Sequence, residues 1–221
     1  MIMKKYIIIT ISLFLSSCSM SNPLSYFDLI NSHKEFQNVN VKLLWSIDIG
    51  EDRNYKTGTL QPAFLDNTSY TIDSEGLVTA IDLLSGNIKW IYDLDLNVSS
   101  GLSIHKDILF FGTSDGKYYG YKIDSLSSSY GFLDRLDITS LIRDSSADPD
   151  VLVQLVSEVS SPGLGIDNLI FVKLDDGDTV AINIDNSNIE WQYKGRNVPL
   201  SMKGSGSIAK LNNNIFIARD D

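Results

Sequence analysis

From Gln61 to Trp90 the chain reads QPAFLDNTSYTIDSEGLVTAIDLLSGNIKW, and its apolar residues fall in short runs set off by polar, turn-forming clusters. Two runs rich in Val, Ile, Thr and Tyr flank Asp73-Ser74-Glu75-Gly76, and a third, carrying Trp90, follows Ser85-Gly86. Runs of this length, bounded by Gly, Asp, Asn and Ser, predict β-strands joined by tight turns. A small antiparallel sheet of this kind has two faces and cannot bury both alone, so the pattern also predicts stacking on further copies.

Copies are present. Gly116 lies in TSDGKYYGYKIDSLSSSY and Gly177 in LDDGDTVAINIDNSNIEW, and 14 residues beyond each turn glycine stands an aromatic: Trp90 after Gly76, Tyr130 after Gly116, Trp191 after Gly177. A fourth copy opens at Gly204-Ser205-Gly206 and runs through NNNIFIARDD, stopping where its turn glycine would come. The glycines are 40 and then 61 residues apart. A period of about 40 is that of a four-stranded propeller blade, and the longer step fits an acidic surface insertion at about 134–150. The expected blades are therefore about 55–94, 95–137 and 151–195, with an incomplete one over 196–221. Val41 to Gly50, VKLLWSIDIG, is one more strand without strands before it, and Trp45 in it resembles Trp90 and Trp191. It is expected to complete the last blade of a ring, within a propeller region spanning 41–221.

The blade-closing aromatics Trp45, Trp90, Tyr130 and Trp191 have a structural role, filling the wedge between neighbouring sheets. The glycines do too, since tight hairpins need residues that tolerate positive φ.

The start of the chain departs from this pattern. Lys4 and Lys5 precede an apolar stretch, Tyr6 to Leu15, which is too short to span a bilayer and has the layout of a secretory signal over 1–17. Leu15-Ser16-Ser17-Cys18 resembles the bacterial lipobox, and Cys18 is the single cysteine of the 221 residues. That resemblance implies cleavage before Cys18 and acylation of its sulfur and new amino group. Ser19 after it, by resemblance to enterobacterial sorting rules, points to the outer membrane. Several acyl chains hold a protein to a membrane where one would not. Residues 18–40 then form a polar tether between lipid and domain.

Composition narrows the function classes. Loss of Lys4 and Lys5 leaves 16 basic against 28 acidic residues, a net charge of −12, which disfavours nucleic acid and bare anionic membrane as partners. With one cysteine no internal disulfide forms. The histidines are His33 and His105, without a nucleophile elbow to serve, so neither a hydrolase triad nor a zinc site of usual composition is expected. Asp93, Asp95 and Asn97 have the spacing of a calcium loop, but Val98 and Ile104 occupy the places that need Gly and Glu. Asp175, Asp176 and Asp178 read as solvated turn acids. Gly204 to Ser207 lacks the Lys of a phosphate loop. No cofactor is expected.

Ala80-Ile81-Asp82, Ser85-Gly86 and Lys89-Trp90 resemble the pyrroloquinoline-quinone-type propeller repeat. The order of lipobox, tether, LLWSIDIG and the first blade, with Val198 to Ser207 (VPLSMKGSGS) further on, resembles the outer-membrane lipoprotein family BamB, assembly factors of the β-barrel assembly machinery. The resemblance runs from Cys18 to the end and implies an all-β fold, a propeller of eight such blades, of which this chain supplies a closing strand, three blades and part of a fourth. A fragment of a longer protein is the expectation. The family role would be a non-catalytic scaffold at the periplasmic face of the outer membrane. Its partners would be the barrel insertase BamA, the rest of the assembly complex and unfolded barrel precursors. Leu200, Met202 and Lys203 match the family's insertase-contacting positions, with Lys203 where the family has Arg. Lysine keeps the charge but lacks the bidentate fork. Leu200 and Met202 also suit simple packing between blades. The alternative function is a quinoprotein-type dehydrogenase or a periplasmic ligand-binding propeller.

The anchor is tested by labelling cells with radioactive palmitate. The wild-type chain is expected to take up label and sediment with membranes, and Cys18→Ser to do neither; label retained on Cys18→Ser would exclude Cys18 as the acylated residue.

Overall fold

A computed structural model describes residues 42–50, 60–127, 147–195, 206–212 and 214–218. The chain divides into two compact units, Met1–Leu44 and Trp45–Asp221, and every described strand belongs to the second. Among the described residues the fold is all-β apart from one short helical turn. Strands β1 (Ala63–Leu65), β2 (Thr68–Ile72), β3 (Leu77–Asp82) and β4 (Ile88–Asp93) form one antiparallel sheet in chain order. Strands β5 (Ser103–His105), β6 (Ile108–Gly112), β7 (Lys117–Lys122) and β8 (Val151–Gln154) form a second. A third contains β9 (Leu164–Ile166), β10 (Leu169–Lys173), β11 (Thr179–Asn183) and β12 (Ile189–Tyr193). A hairpin of β13 (Ala209–Leu211) and β14 (Asn214–Phe216) begins a fourth. These are the consecutive four-stranded meanders of a partial propeller.

The central hairpins repeat because the same turn is encoded three times. Gly76, Gly116 and Gly177 take φ of 98°, 77° and 91°, the left-handed side of conformational space that glycine enters without steric cost. In each copy the glycine N–H donates to the carbonyl three residues back, at Asp73, Thr113 and Leu174, and that residue's own N–H donates across the turn to Leu77, Lys117 and Asp178.

Strand alternation supplies both faces of each sheet. Tyr70, Ala80 and Trp90 of the first sheet share a core with Leu109, Phe111, Tyr119 and Tyr121 of the second. One residue out of phase on the same strands, Phe110, Tyr118, Val151 and Val153 pack with Ile170, Val172, Val180 and Ile182 of the third. The second sheet is thus buried on both sides, and β6 has no exposed residue. Phe110 fits beneath its neighbours because its cross-strand partner is Gly120, where a Cβ would lie 2.6 Å from the Phe110 ring.

Two boundaries differ from the sequence-based expectation. The fourth strand of the second sheet is β8, which pairs with β7 through Gly120↔Val151 and Tyr118↔Val153. The insertion therefore lies inside the second blade, not between the blades at 95–137 and 151–195. Val151 is the residue across from Gly120, as Trp90 is across from Ala80, so the 14-residue spacing to Tyr130 does not mark that strand's position. The physical reason is that the chain leaves β7 directly into a helical turn, α1 (Ile123–Ser127), whose Leu126 is fully buried against the first core. The exit and return of the insertion are pinned together: Asp150 accepts from the Lys122 backbone N–H (2.9 Å) and from its Nζ (2.8 Å). Tyr130 itself lies outside the described residues, as do 51–59 and the part of the insertion up to 146.

The segment 42–50 joins no ladder among the described residues. The Trp45 ring lies against Gly86, and its Nε1–H donates to the Leu83 carbonyl at 3.0 Å.

Gly120→Ala is expected to lower stability by about 1–2 kcal/mol in urea denaturation. Overpacking costs of about 1–3 kcal/mol outweigh the few tenths to about 1 kcal/mol gained from a less flexible unfolded chain. A stability equal to or above wild type would contradict this packing.

Candidate functional site

The third sheet repeats the first but is not covered in the same way. Phe171 pairs with Ala181 and Ala181 with Trp191, as Tyr70 pairs with Ala80 and Ala80 with Trp90. Two residues beyond each tryptophan stand Tyr193 and Tyr92. The rings of each set touch: Tyr70–Trp90 centroids are 5.8 Å apart, Phe171–Trp191 6.3 Å in an edge-on arrangement, and Trp191–Tyr193 6.4 Å. Trp90 and Tyr92 are 7% and 3% exposed beneath the second sheet, whereas Trp191 and Tyr193 are each 45% exposed. Side chains of this size carry much of the energy of any interface that covers them.

The β13–β14 hairpin covers only part of this face. Ile215 lines a cleft of about 370 Å³ together with Phe171, Leu169, Ile166, Asp167 and Lys210. Its neighbour Phe216, opposite in alternation, is 52% exposed, and Leu211 at the end of β13 is 63% exposed. Among the described residues β14 pairs with β13 alone. Lys173, buried on the same face of β10, donates from Nζ to the Ala218 carbonyl at 2.8 Å and so ties the end of the hairpin to the sheet. Asp178 accepts from Gln192 Nε2 (2.9 Å) and from the Gly195 N–H (2.8 Å), fixing the exit of β12.

The charged groups of the described residues stabilise turns and chain crossings. Asp82 accepts from the N–H of Leu84 and Ser85 and from Ser85 Oγ, and these bonds, with Lys89 nearby, hold its carboxyl below the usual range. Asp115, bonded by Lys117 and Thr113, is lowered likewise. Burial raises the Asp150 carboxyl, but the bonds from Lys122 outweigh it and the net shift is downward. Asp175 accepts from Ser160 Oγ at 2.6 Å, and Asp176 from the Asp178 N–H at 3.0 Å. Among the described residues no three His, Cys, Asp or Glu side chains come together as a metal site. His105 bridges two sheets: its Nε2 lies 2.8 Å from the Asp167 carbonyl, and its ring packs on Gly165.

Trp90 is buried between the first and second sheets, Trp191 is half-exposed on the third, and Trp45 lies on the Ser85-Gly86 turn. Cys18, Tyr130, Leu200, Met202 and Lys203 lie outside the described residues; in chain order the last three fall between β12 and β13. The blade repeat singles out Trp191 but passes over Phe171, Tyr193 and Ile215. A signal for Tyr193 is present, since Trp-x-Tyr occurs at both Trp90 and Trp191.

No protein-family model matches the chain. Over 96 residues the chain is 27% identical to the outer membrane protein assembly factor BamB of Kangiella koreensis, a match covering 42% of this chain and 25% of that protein. Over 69 residues it is 32% identical to BamB of Pseudomonas aeruginosa, covering 31% and 18% respectively. The crystal structure of BamB from Moraxella catarrhalis superimposes with a TM-score of 0.52 at 19% identity, over 69% of this chain and 40% of that one. The matched regions span a quarter or less of the length of the curated relatives. The chain is therefore BamB-like at low identity in sequence and in fold. Among the described residues no helix is long and apolar enough to cross a membrane.

The Lys122–Asp150 pair predicts a pH dependence. A carboxyl whose folded pKa is depressed contributes stability that is complete above its unfolded value, near 4, and is lost as pH falls through the folded value. Asp150→Asn should cost about 1 kcal/mol at pH 7, and the difference from wild type should begin to shrink near pH 4 and vanish once the pH has fallen through the depressed folded value. A constant difference down to pH 2 in acid titration of the unfolding free energy would show that the bond, not the charge, is responsible.

Proposed function

We propose that this protein is a non-catalytic scaffold lipoprotein of the outer-membrane β-barrel assembly complex. In this reading it docks on the barrel insertase BamA and assists the insertion of barrel precursors. The observation that carries the proposal is the concurrence of sequence and fold: the BamB likeness is found in both, on a repeat that presents surfaces and turns. The acids that close turns and pin strands suit a rigid scaffold.

Cys18 would carry the lipid that holds the chain at the periplasmic face, with 18–40 as the tether. Leu200, Met202 and Lys203, in the connector between the third sheet and the β13–β14 hairpin, would form the contact with the insertase. Two apolar side chains beside a cation suit a partner surface that offers an apolar strand or loop with a carboxylate at its rim.

A pull-down from detergent-solubilised outer membranes tests this, with wild-type protein and Lys203→Glu as baits. Recovery of the insertase with wild type and its loss with Lys203→Glu is the expected result. Absence of the insertase from both, with intact and lipidated bait, would overturn the proposal.

A further inference from the structure

The last strand of a sheet leaves a row of N–H and C=O groups without a ladder partner, and natural sheets protect such edges with charges, bulges or covering segments. In the first sheet β4 carries Lys89 and Asp93, and in the third β12 carries Glu190 and is followed by Lys194. The edge strand of the second sheet, β8, lacks this protection. From Val151 to Ser157 the chain reads VLVQLVS, without a charged residue, and among the described residues β8 pairs with β7 alone. Its burial alternates: Val151, Val153 and Leu155 are buried, while Leu152, Gln154 and Val156 are exposed, Leu152 to 46% and Val156 to 78%. The Leu155 N–H donates inward to the Gly116 carbonyl at 2.8 Å. By the alternation of an antiparallel ladder, the N–H and C=O of Leu152 and Gln154 therefore face the open side. The charged groups that flank this edge are matched within the chain, as Lys122–Asp150 and Lys117–Asp115 pairs of 2.8 Å each.

We infer that β8 is a self-association edge: two copies of this chain pair antiparallel along it, with Gln154 on the two-fold axis, and join their second sheets into one. The sequence of the edge selects a second copy as the occupant. A two-fold contact requires a surface that complements itself, and β8 has the same pattern in both directions from Gln154. On one face Leu152 meets Val156 of the other copy, and on the opposite face Val153 meets Leu155. Moving the axis to Val153 would set Leu152 against Gln154 and Asp150 against Val156, so the register is determined. A strand from an unrelated protein needs only the free N–H and C=O groups, whereas the self-complementary pattern is specific to a second copy. The net charge of −10 for the full sequence opposes the approach of two copies at long range. The edge adds nothing to this repulsion, since its own residues are neutral and its flanking charges are paired. Pairing along one short strand covers less than the roughly 1,000 Å² of a stable interface, so the dimer is a weak one, with a Kd on the order of 10–100 μM.

The test is sedimentation velocity on the full chain from about 1 to 300 μM, a range that brackets the expected Kd. Wild type should pass from monomer to dimer across it. Leu152→Lys and Val156→Glu change exposed side chains, and each alone should weaken dimerisation at least about tenfold by placing a charge against an apolar partner. Mixing the two single variants sets the new lysine of one copy opposite the new glutamate of the other. Dimers should then return to within about threefold of wild type, because opposite charges across an antiparallel pair attract. A wild-type chain that stays monomeric over the whole range would overturn the inference. So would dimers that neither variant weakens, or that the mixture fails to restore, since the contact would then lie elsewhere on the chain. Should either substitution disturb folding, oxidation of Gln154→Cys in the Cys18→Ser chain decides. On the two-fold axis the two Cα atoms lie about 5.5 Å apart, within disulfide reach, so this variant should cross-link to itself. Leu152→Cys, displaced from the axis, should not. Equal cross-linking of the two variants, or none, would overturn the inference. Recovery of the insertase in the pull-down is independent of all these outcomes, so the two readings fail separately.

Discussion

Three of the sheets among the described residues are four strands wide, and the need to bury sheet faces against neighbouring sheets is the constraint on which the rest of the structure depends. The second sheet meets it fully. Leu109 and Phe111 point one way and Ile108 and Phe110 the other, so one strand contributes to two cores. At about 25 cal/mol per Å² of apolar surface removed from water, aromatic side chains of about 150–250 Å² dominate such interfaces. The sheets are therefore interdependent: each is stable because its neighbours supply half of its core.

Close packing of this kind leaves little room for variation. Gly120 opposite Phe110, Ala80 opposite Trp90 and Ala181 opposite Trp191 show the same solution, a small residue on the third strand beneath a large one alongside it. In the second sheet the large ring has moved from the fourth strand to the second, from the place of Trp90 to that of Tyr70, and Val151 fills the remaining space. The insertion before β8 is tolerated because its ends are held together by the Lys122–Asp150 bonds and its first turn sends Leu126 back into the core. Loop length itself costs little once the ends are fixed.

The same constraint links fold to function. The described acids accept bonds from turn N–H groups and hydroxyls, which suits turns and chain crossings better than chemistry on a substrate. Among the described residues the Trp191 and Tyr193 rings of the third sheet are half-exposed. In chain order Leu200, Met202 and Lys203, the residues of the proposed insertase contact, fall between β12 and β13.

The repeat, the all-β class and the turn glycines were legible in the sequence because they are local: a tight hairpin needs positive φ at a set place, and a strand needs alternation. Gly76, Gly116 and Gly177 needed no tertiary information. The blade boundary at the insertion did need it. Which segment supplies a sheet's fourth strand is a long-range pairing decision, and Tyr130 and Val151 each offered an apolar residue at a plausible distance from the turn. The pairing of β8 with β7 settled it through the fit of Val151 beside Gly120. The role of His105 between two sheets was equally invisible, since Gly165 lies 60 residues away in the chain. Local patterning set which side chains each strand could bury. Long-range packing chose the neighbour that buries them, as Leu109, Phe111, Tyr119 and Tyr121 of the second sheet bury Trp90.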